Sequence, residues 1–347
     1  MWKKINKNKL GLFGLVFITG LTAVSLLGYL IIPDSSTNAN DIHLEIALQK
    51  PGFSVDFLSI SQPPNEQSNS LLSHWLFGSP NKLNKVPIMG LSGTDSFAVF
   101  DKRGVHLWQR LGRPIQQNDL SNTTFYLGTD RYGRDMLSRV ILGARISLLV
   151  GFMAVLITMI IGTILGLLAG YFGGWVDQII LWLINVIWSL PSLLIAISIS
   201  FAFKEKGIYQ VFLAIGLSMW VELARVVRGQ VLQIKEIEYV QAANVLGFST
   251  FRILLKHILP NIMAPIIVIC AANFASAILL EAGLSFLGLG VQAPTPSWGS
   301  MIKEHYNYIV FDAAYLAIIP GICIMLLVMS FNFLGNALRD ALDVKLK

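Results

Sequence analysis

The chain has 347 residues, of which 54% are hydrophobic and only 13% charged, with a mean hydropathy of +0.63. Water-soluble domains carry about 25% charged residues, so this composition excludes an ordinary cytosolic enzyme and points to an integral membrane protein. The net charge of +6 is spread around apolar runs, with no basic stripe interleaved with aromatics, which excludes nucleic acid as a partner.

Four runs free of charged side chains exceed the roughly 20 apolar residues that cross a bilayer core. They lie between Lys9 and Asp34, Arg145 and Asp177, Asp177 and Lys204, and Asp312 and Arg339. Residues 207–221, ending at Glu222, and 262–290, interrupted by Glu281, complete a set of six expected spans. The first, at 10–32, follows a basic segment but is too long for a signal-peptide core of about 7 to 15 residues, and no A-x-A-like site follows it. Residues 1–32 are therefore read as a cytoplasmic N-terminus and a retained first helix.

Residues 33–127 form a polar insertion outside the membrane, dotted with prolines that include Pro33, Pro63, Pro64 and Pro80. The alternating stretches FSVDFLSI and DSFAVF suit strands, so a small β-containing outer domain is expected, with an unordered loop as the alternative. In the second span Gly162, Gly166 and Gly170 recur every four residues. On a helix they share one face, and small residues at that spacing let two helices approach closely in lipid.

The cytoplasmic stretch QIKEIEYVQAANVLGFSTFRILLKHILPN, residues 233–261, is amphipathic. Gly247 suits the left-handed residue that closes a helix, Ser249 suits the cap of the next, and Pro260 is expected to stop a second short helix. Val240, Ala243, Leu246 and Phe251 would offer an apolar surface, while Glu236, Glu238, Arg252 and Lys256 keep the element soluble. Such a hairpin, at 234–260, is a docking element for a partner.

No catalytic, metal-binding or cofactor motif accompanies these features. A P-loop needs G-x-x-x-x-G-K-S/T, and here no Gly precedes a Lys. His43, His74, His106, His257 and His305 are scattered without metal-ligand spacing, and Cys270 and Cys323 both fall within spans. Glu281 is the acid well inside a span; it is read as a hydrogen-bonded structural group, with a pathway contact as the alternative. Asp130, Arg131, Arg134 and Asp135 alternate in sign around Gly133 and are read as a clamp on an outer turn rather than a peptide-binding site.

The hairpin resembles the EAA loop of bacterial ABC importer permeases, with Gln241, Ala242, Ala243 as the triplet, Gly247 following it, and Ile258, Leu259, Pro260 as the distal ending. Gln241 departs from the usual glutamate. The stretches LGTDRYGRDMLSRVILGARISLLVG, AGYFGGWVD, EAGLSFLGLGVQAPTPSWGSMI and LRDALDVKL resemble dipeptide and oligopeptide permeases, specifically the C-type member of the paired subunits. The resemblance runs nearly continuously from residue 127 to 347.

That resemblance implies an all-α polytopic protein with six transmembrane helices in the type I ABC importer permease fold, its core at 128–347 and an extracytoplasmic insertion between the first two helices. It implies ATPase coupling through Glu238, Tyr239, Gln241, Ala242, Ala243, Gly247, Phe248, Ser249, Arg252 and Pro260. It also implies a second permease, two ABC ATPase subunits or domains and an extracytoplasmic substrate-binding protein, with no cofactor. The cargo it implies is peptide, with nickel chelates, glutathione or antimicrobial peptides as alternatives. A self-sufficient secondary transporter is disfavoured, because neither inverted repeats nor charged relays are present. Twelve Lys and Arg residues, including Lys3, Lys4, Lys7, Lys345 and Lys347, fall on one side of the spans, against Lys204, Lys206 and Lys303 on the other. This bias places both termini in the cytoplasm, and the resemblance implies that the membrane is a bacterial inner membrane.

Overall fold

The computed structural model describes residues 8–60, 74, 75, 77–79, 84–101, 107–204 and 206–342. Lys3, Lys4, Lys7, Pro63, Pro64, Pro80, His106, Lys345 and Lys347, named above, lie outside them, as do the last residues of the LRDALDVKL stretch. Nine helices are defined among the described residues: α1 (Lys9–Ile31), α2 (Met136–Phe172), α3 (Gly174–Trp188), α4 (Ser192–Ala202), α5 (Ile208–Ile234), α6 (Glu238–Val245), α7 (Thr250–Phe286), α8 (Trp298–His305) and α9 (Tyr315–Leu342). Five of them (α1, α2, α5, α7 and α9) are long and apolar enough to cross a membrane. The third expected span is instead the pair α3 and α4, bent by 95° at a short break. Pro191 stands at that break, where it removes a backbone donor and biases Leu190 away from helical geometry.

The chain forms two compact units. One contains residues 8–21, 147–292 and 321–342; the other contains the described residues of 22–146 and 293–320. Residues 128–146 and 293–320, expected within the permease core, thus cluster with the insertion.

In the first unit, α2 and α5 pack along the glycine face. A Cβ on Gly162 would lie 2.9 Å from the Trp220 carbonyl, one on Gly166 2.6 Å from the Ala224 carbonyl, and one on Gly170 2.9 Å from the Arg228 carbonyl. Backbone meets backbone at all three, so any side chain there must push the helices apart. Gly216 of α5 reciprocates against Ala154 and Ile157 of α2. Around this seam Leu223, Val227 and Val231 are buried with Val240, Ile253, Ile258 and Ile262.

The second unit carries a five-stranded antiparallel sheet in the order β4-β3-β2-β1-β5. Strand β1 (Phe53–Ile60) is the FSVDFLSI stretch, flanked by β2 (Asn84–Ser92) and β5 (Leu120–Phe125); β3 (Ser96–Val99) and β4 (Leu107–Arg110) extend the sheet. Side chains alternate across a strand. Val55 and Phe57 bury one face with Ile46 and Phe125, while Leu58 buries the other with Ile88 and Phe97. In the connection between β4 and β5, Arg113 holds Asp119 at 2.6 Å and keeps its carboxyl below the ordinary carboxylate range.

Gly166→Leu is expected to separate α2 from α5 and to cost about 1–3 kcal/mol or more of stability through overpacking. Thermal unfolding of the purified chain in detergent should show a lowered midpoint, whereas the same change at Gly20, where a Cβ meets nothing within 4 Å, should leave it unaltered.

Candidate functional site

The hairpin at 238–258 is built around one turn. Helix α6 ends in a Schellman arrangement: Phe248 N donates to the Ala243 carbonyl at 3.1 Å and Gly247 N to the Asn244 carbonyl at 3.0 Å. Gly247 sits at φ +74, a region that costs a side-chain-bearing residue about 1–2 kcal/mol. Ser249 occupies the N-cap position of α7 in extended geometry, but its side chain makes no capping hydrogen bond.

Pro260 does not stop the second helix. Helix α7 runs on from Thr250 to Phe286, through a π-helical turn at Ile253–Ile258, and Pro260 falls in the first turn of the α-helical stretch Leu259–Phe286. A proline is tolerated there because its missing N–H would have had no partner within that stretch. The hairpin is therefore a short helix joined by a tight turn to the start of a long one.

The apolar residues of the hairpin divide into two sets. Val240 and Ala243 are buried against Ile253, Leu254 and Ile258, which anchors α6 to α7. Val245, Leu246 and Phe251 face outward, with Val245 87% and Phe251 73% exposed. Polar contacts fix the geometry: Asn261 Nδ2 donates to Tyr239 Oη at 3.0 Å, Tyr239 Oη donates to the His257 carbonyl at 3.4 Å, and Arg252 lies 4.2 Å over the Phe248 ring. Gln241 Nε2 donates to the Glu236 carbonyl at 3.2 Å. Glu238 opens α6, in the turn where a carboxylate complements the helix dipole, and Ala242 is exposed beside Gln241.

Glu281 is fully buried. Ser285 Oγ donates to its Oε1 at 2.7 Å and Ser147 Oγ to its Oε2 at 3.2 Å, so the acid links α7 to α2. A cavity of about 670 Å³ lies elsewhere in this unit, beside the α3–α4 break, with Trp188, Pro191, Ser218, Glu222, Asn273 and Ser276 in its wall. The sequence reading took Glu222 as the end of the fourth span, whereas α5 continues through it to Ile234. The spacing of Trp220, Leu223, Val227 and Val231 continues helically past it and carried the missing signal.

In the second unit, Asp130 and Arg134 are buried and paired at 2.6 Å, and Arg134 also reaches Glu304 at 2.9 Å. Arg139 lies 3.7 Å from both carboxylates. The clamp thus joins the GTDRYGRD turn to α8, and Trp298 Nε1 adds a 2.9 Å bond to the Val140 carbonyl. Asp135 accepts from Ser138, and burial raises its carboxyl above the ordinary range. Asp130, Glu304 and His305 bring potential ligand atoms within 4.8 Å of one another, but the two guanidinium groups already supply the positive charge, and burial lowers the His305 pKa.

Comparison with known proteins agrees with this architecture. Residues 162–347 match the family described as the binding-protein-dependent transport system inner membrane component. The dipeptide transport system permease protein DppC of Alkalihalophilus pseudofirmus is 39% identical over 83% of this chain and 95% of its own length. The glutathione transport system permease protein GsiD of Pectobacterium atrosepticum is 42% identical over 66% of this chain and 76% of its own. The oligopeptide transport system permease protein OppC of Bacillus subtilis is 41% identical over 64% and 72%. With its apolar helices and a match over more than half its length, the chain belongs to the family of binding-protein-dependent transport system inner membrane components.

Proposed function

We propose that this chain is the C-type permease subunit of an ATP-driven importer of short peptides, working beside a second permease, two cytoplasmic ATPase subunits or domains and an external binding protein. The hairpin carries this reading. Val245, Leu246 and Phe251 hold exposed apolar surface on a rigid, glycine-closed turn, which is costly in water unless another protein covers it. The three relatives described above are named for dipeptide, glutathione and oligopeptide transport, which favours peptide over a nickel chelate.

Both termini and the hairpin lie in the cytoplasm and the sheet-bearing insertion lies outside, following the bias of Lys and Arg. ATP binding closes the ATPase pair, the hairpin moves with it, and the helices exchange an inward-open for an outward-open arrangement. Glu238, Tyr239, Gln241, Ala242, Gly247, Phe248, Ser249 and Arg252 shape the docking surface, while Ala243 supports it from within the fold and Pro260, exposed, opens the α-helical stretch behind it. Glu281, Asp130, Arg134 and Asp135 hold the helices and the outer turn in place.

Gly247→Val should reshape the hairpin without touching the membrane helices, since no atom of the fold lies within 4 Å of the position a Cβ would take. The variant is expected to insert and pair with the second permease but to lose the ATPase on copurification, with uptake in proteoliposomes abolished. Unchanged copurification and full uptake would refute the hairpin as the coupling element. Glu281→Gln should keep the yield of the complex, because an amide retains hydrogen bonding to Ser147 and Ser285. Glu281→Leu should lower it by leaving both hydroxyls without that partner; normal yield with uptake lost in both variants would make Glu281 a pathway group.

A further inference from the structure

The cavity beside the α3–α4 break contains a carboxylate with no structural task. Glu222 stands halfway along the 27-residue α5. It is exposed and, among the described residues, forms neither a hydrogen bond nor an ion pair. A carboxylate at the middle of a span costs at least about 2.5–3.5 kcal/mol against lipid, so such groups face a bundle interior or water. The neighbouring cation does not pair with it: Arg225, one turn along, stacks 3.3 Å from the ring centroid of Trp188 in the cavity wall and bonds Asn185.

Two independent features mark the same place. Asn273 lines the cavity and is 4% exposed, with its Nδ2 lacking a hydrogen-bond partner. Ser189, Leu190 and Pro191, at the helix break, also line it. Non-helical backbone at membrane depth is tolerated where protein buries it or where it borders a wet cavity. A free acid, an orphaned amide and an interrupted helix around one volume describe a polar compartment within an apolar bundle.

We infer that Glu222 is the counter-ion for cationic groups of the cargo, an ammonium or a guanidinium, as it crosses this cavity, with Asn273 as the second polar contact. The inference rests on the importer reading above and adds charge selectivity within the permease, separate from the binding protein. Ionised Glu222 attracts a Lys or Arg side chain of a passing peptide and repels a Glu or Asp side chain.

The test uses the complete importer in proteoliposomes, with its binding protein, and measures uptake of Ala-Lys-Ala against Ala-Glu-Ala. Because the same binding protein serves every variant, its own preference cancels from the comparison. Glu222→Gln should lower the cationic-to-anionic uptake ratio by about tenfold, the lower end for a hydrogen bond to a charged group, and Glu222→Asp should restore most of it. An unchanged ratio overturns the inference, whether total uptake falls or not. Reduced yield of the complex with an unchanged ratio would instead assign Glu222 to a cation of the second permease. If the unaltered complex takes up neither peptide, the peptide reading fails and this inference fails with it.

Discussion

Lipid can neither hydrogen-bond a backbone amide nor solvate a carboxylate, and the rest of the structure follows from that constraint. It accounts for long helices bracketed by charge, because a helix satisfies its own backbone. It also means that helices gain little from hydrophobicity when they associate, so contact between them must come from close packing and polar links. The α2–α5 seam is of the first kind, with Gly162, Gly166 and Gly170 bringing main chains together. Glu281 is of the second, held by hydroxyls from two helices.

The same constraint makes departures from regularity informative. Helix breaks, exposed acids and orphaned amides are expensive in a bilayer, and the α3–α4 break, Glu222 and Asn273 share one cavity. Outside the membrane the logic reverses, since apolar surface is then the costly feature. Val245, Leu246 and Phe251 bear that cost on the hairpin, while Val240 and Ala243 fasten the element to the bundle. Under the proposed function, this one rigid element presents a surface to the ATPase on one side and grips the transmembrane helices on the other, the arrangement that a lever between ATP hydrolysis and transport requires.

Features governed by local geometry were legible in the sequence. The glycine face needs only a helical repeat, β1 needs only alternation, and the left-handed turn at Gly247 needs only a residue without a Cβ. Features set by distant partners were not. The Asp130 clamp depends on Glu304, and Arg134 meets that residue across 170 positions of sequence. The inward turn of Val240 and Ala243 depends on where α7 runs, and α7 runs on past Pro260 because a π turn precedes the ring. Glu222 reads as the end of a span when apolar runs are counted, and as a mid-helix residue only when the helical period is followed through the interruption.

The central claim is that the exposed apolar tip of the hairpin is covered by an ATPase. Cys270 and Cys323, the chain's two free thiols, can be replaced by alanine and a single cysteine placed at Leu246. Cross-linking in the assembled complex with a short thiol reagent is then the most direct measurement. The account expects one adduct, to the ATPase subunit, with a yield that changes when ATP is bound. A Leu246→Cys thiol that stays equally open to an impermeant thiol reagent in the isolated chain and in the full complex, and cross-links to no subunit, would contradict it.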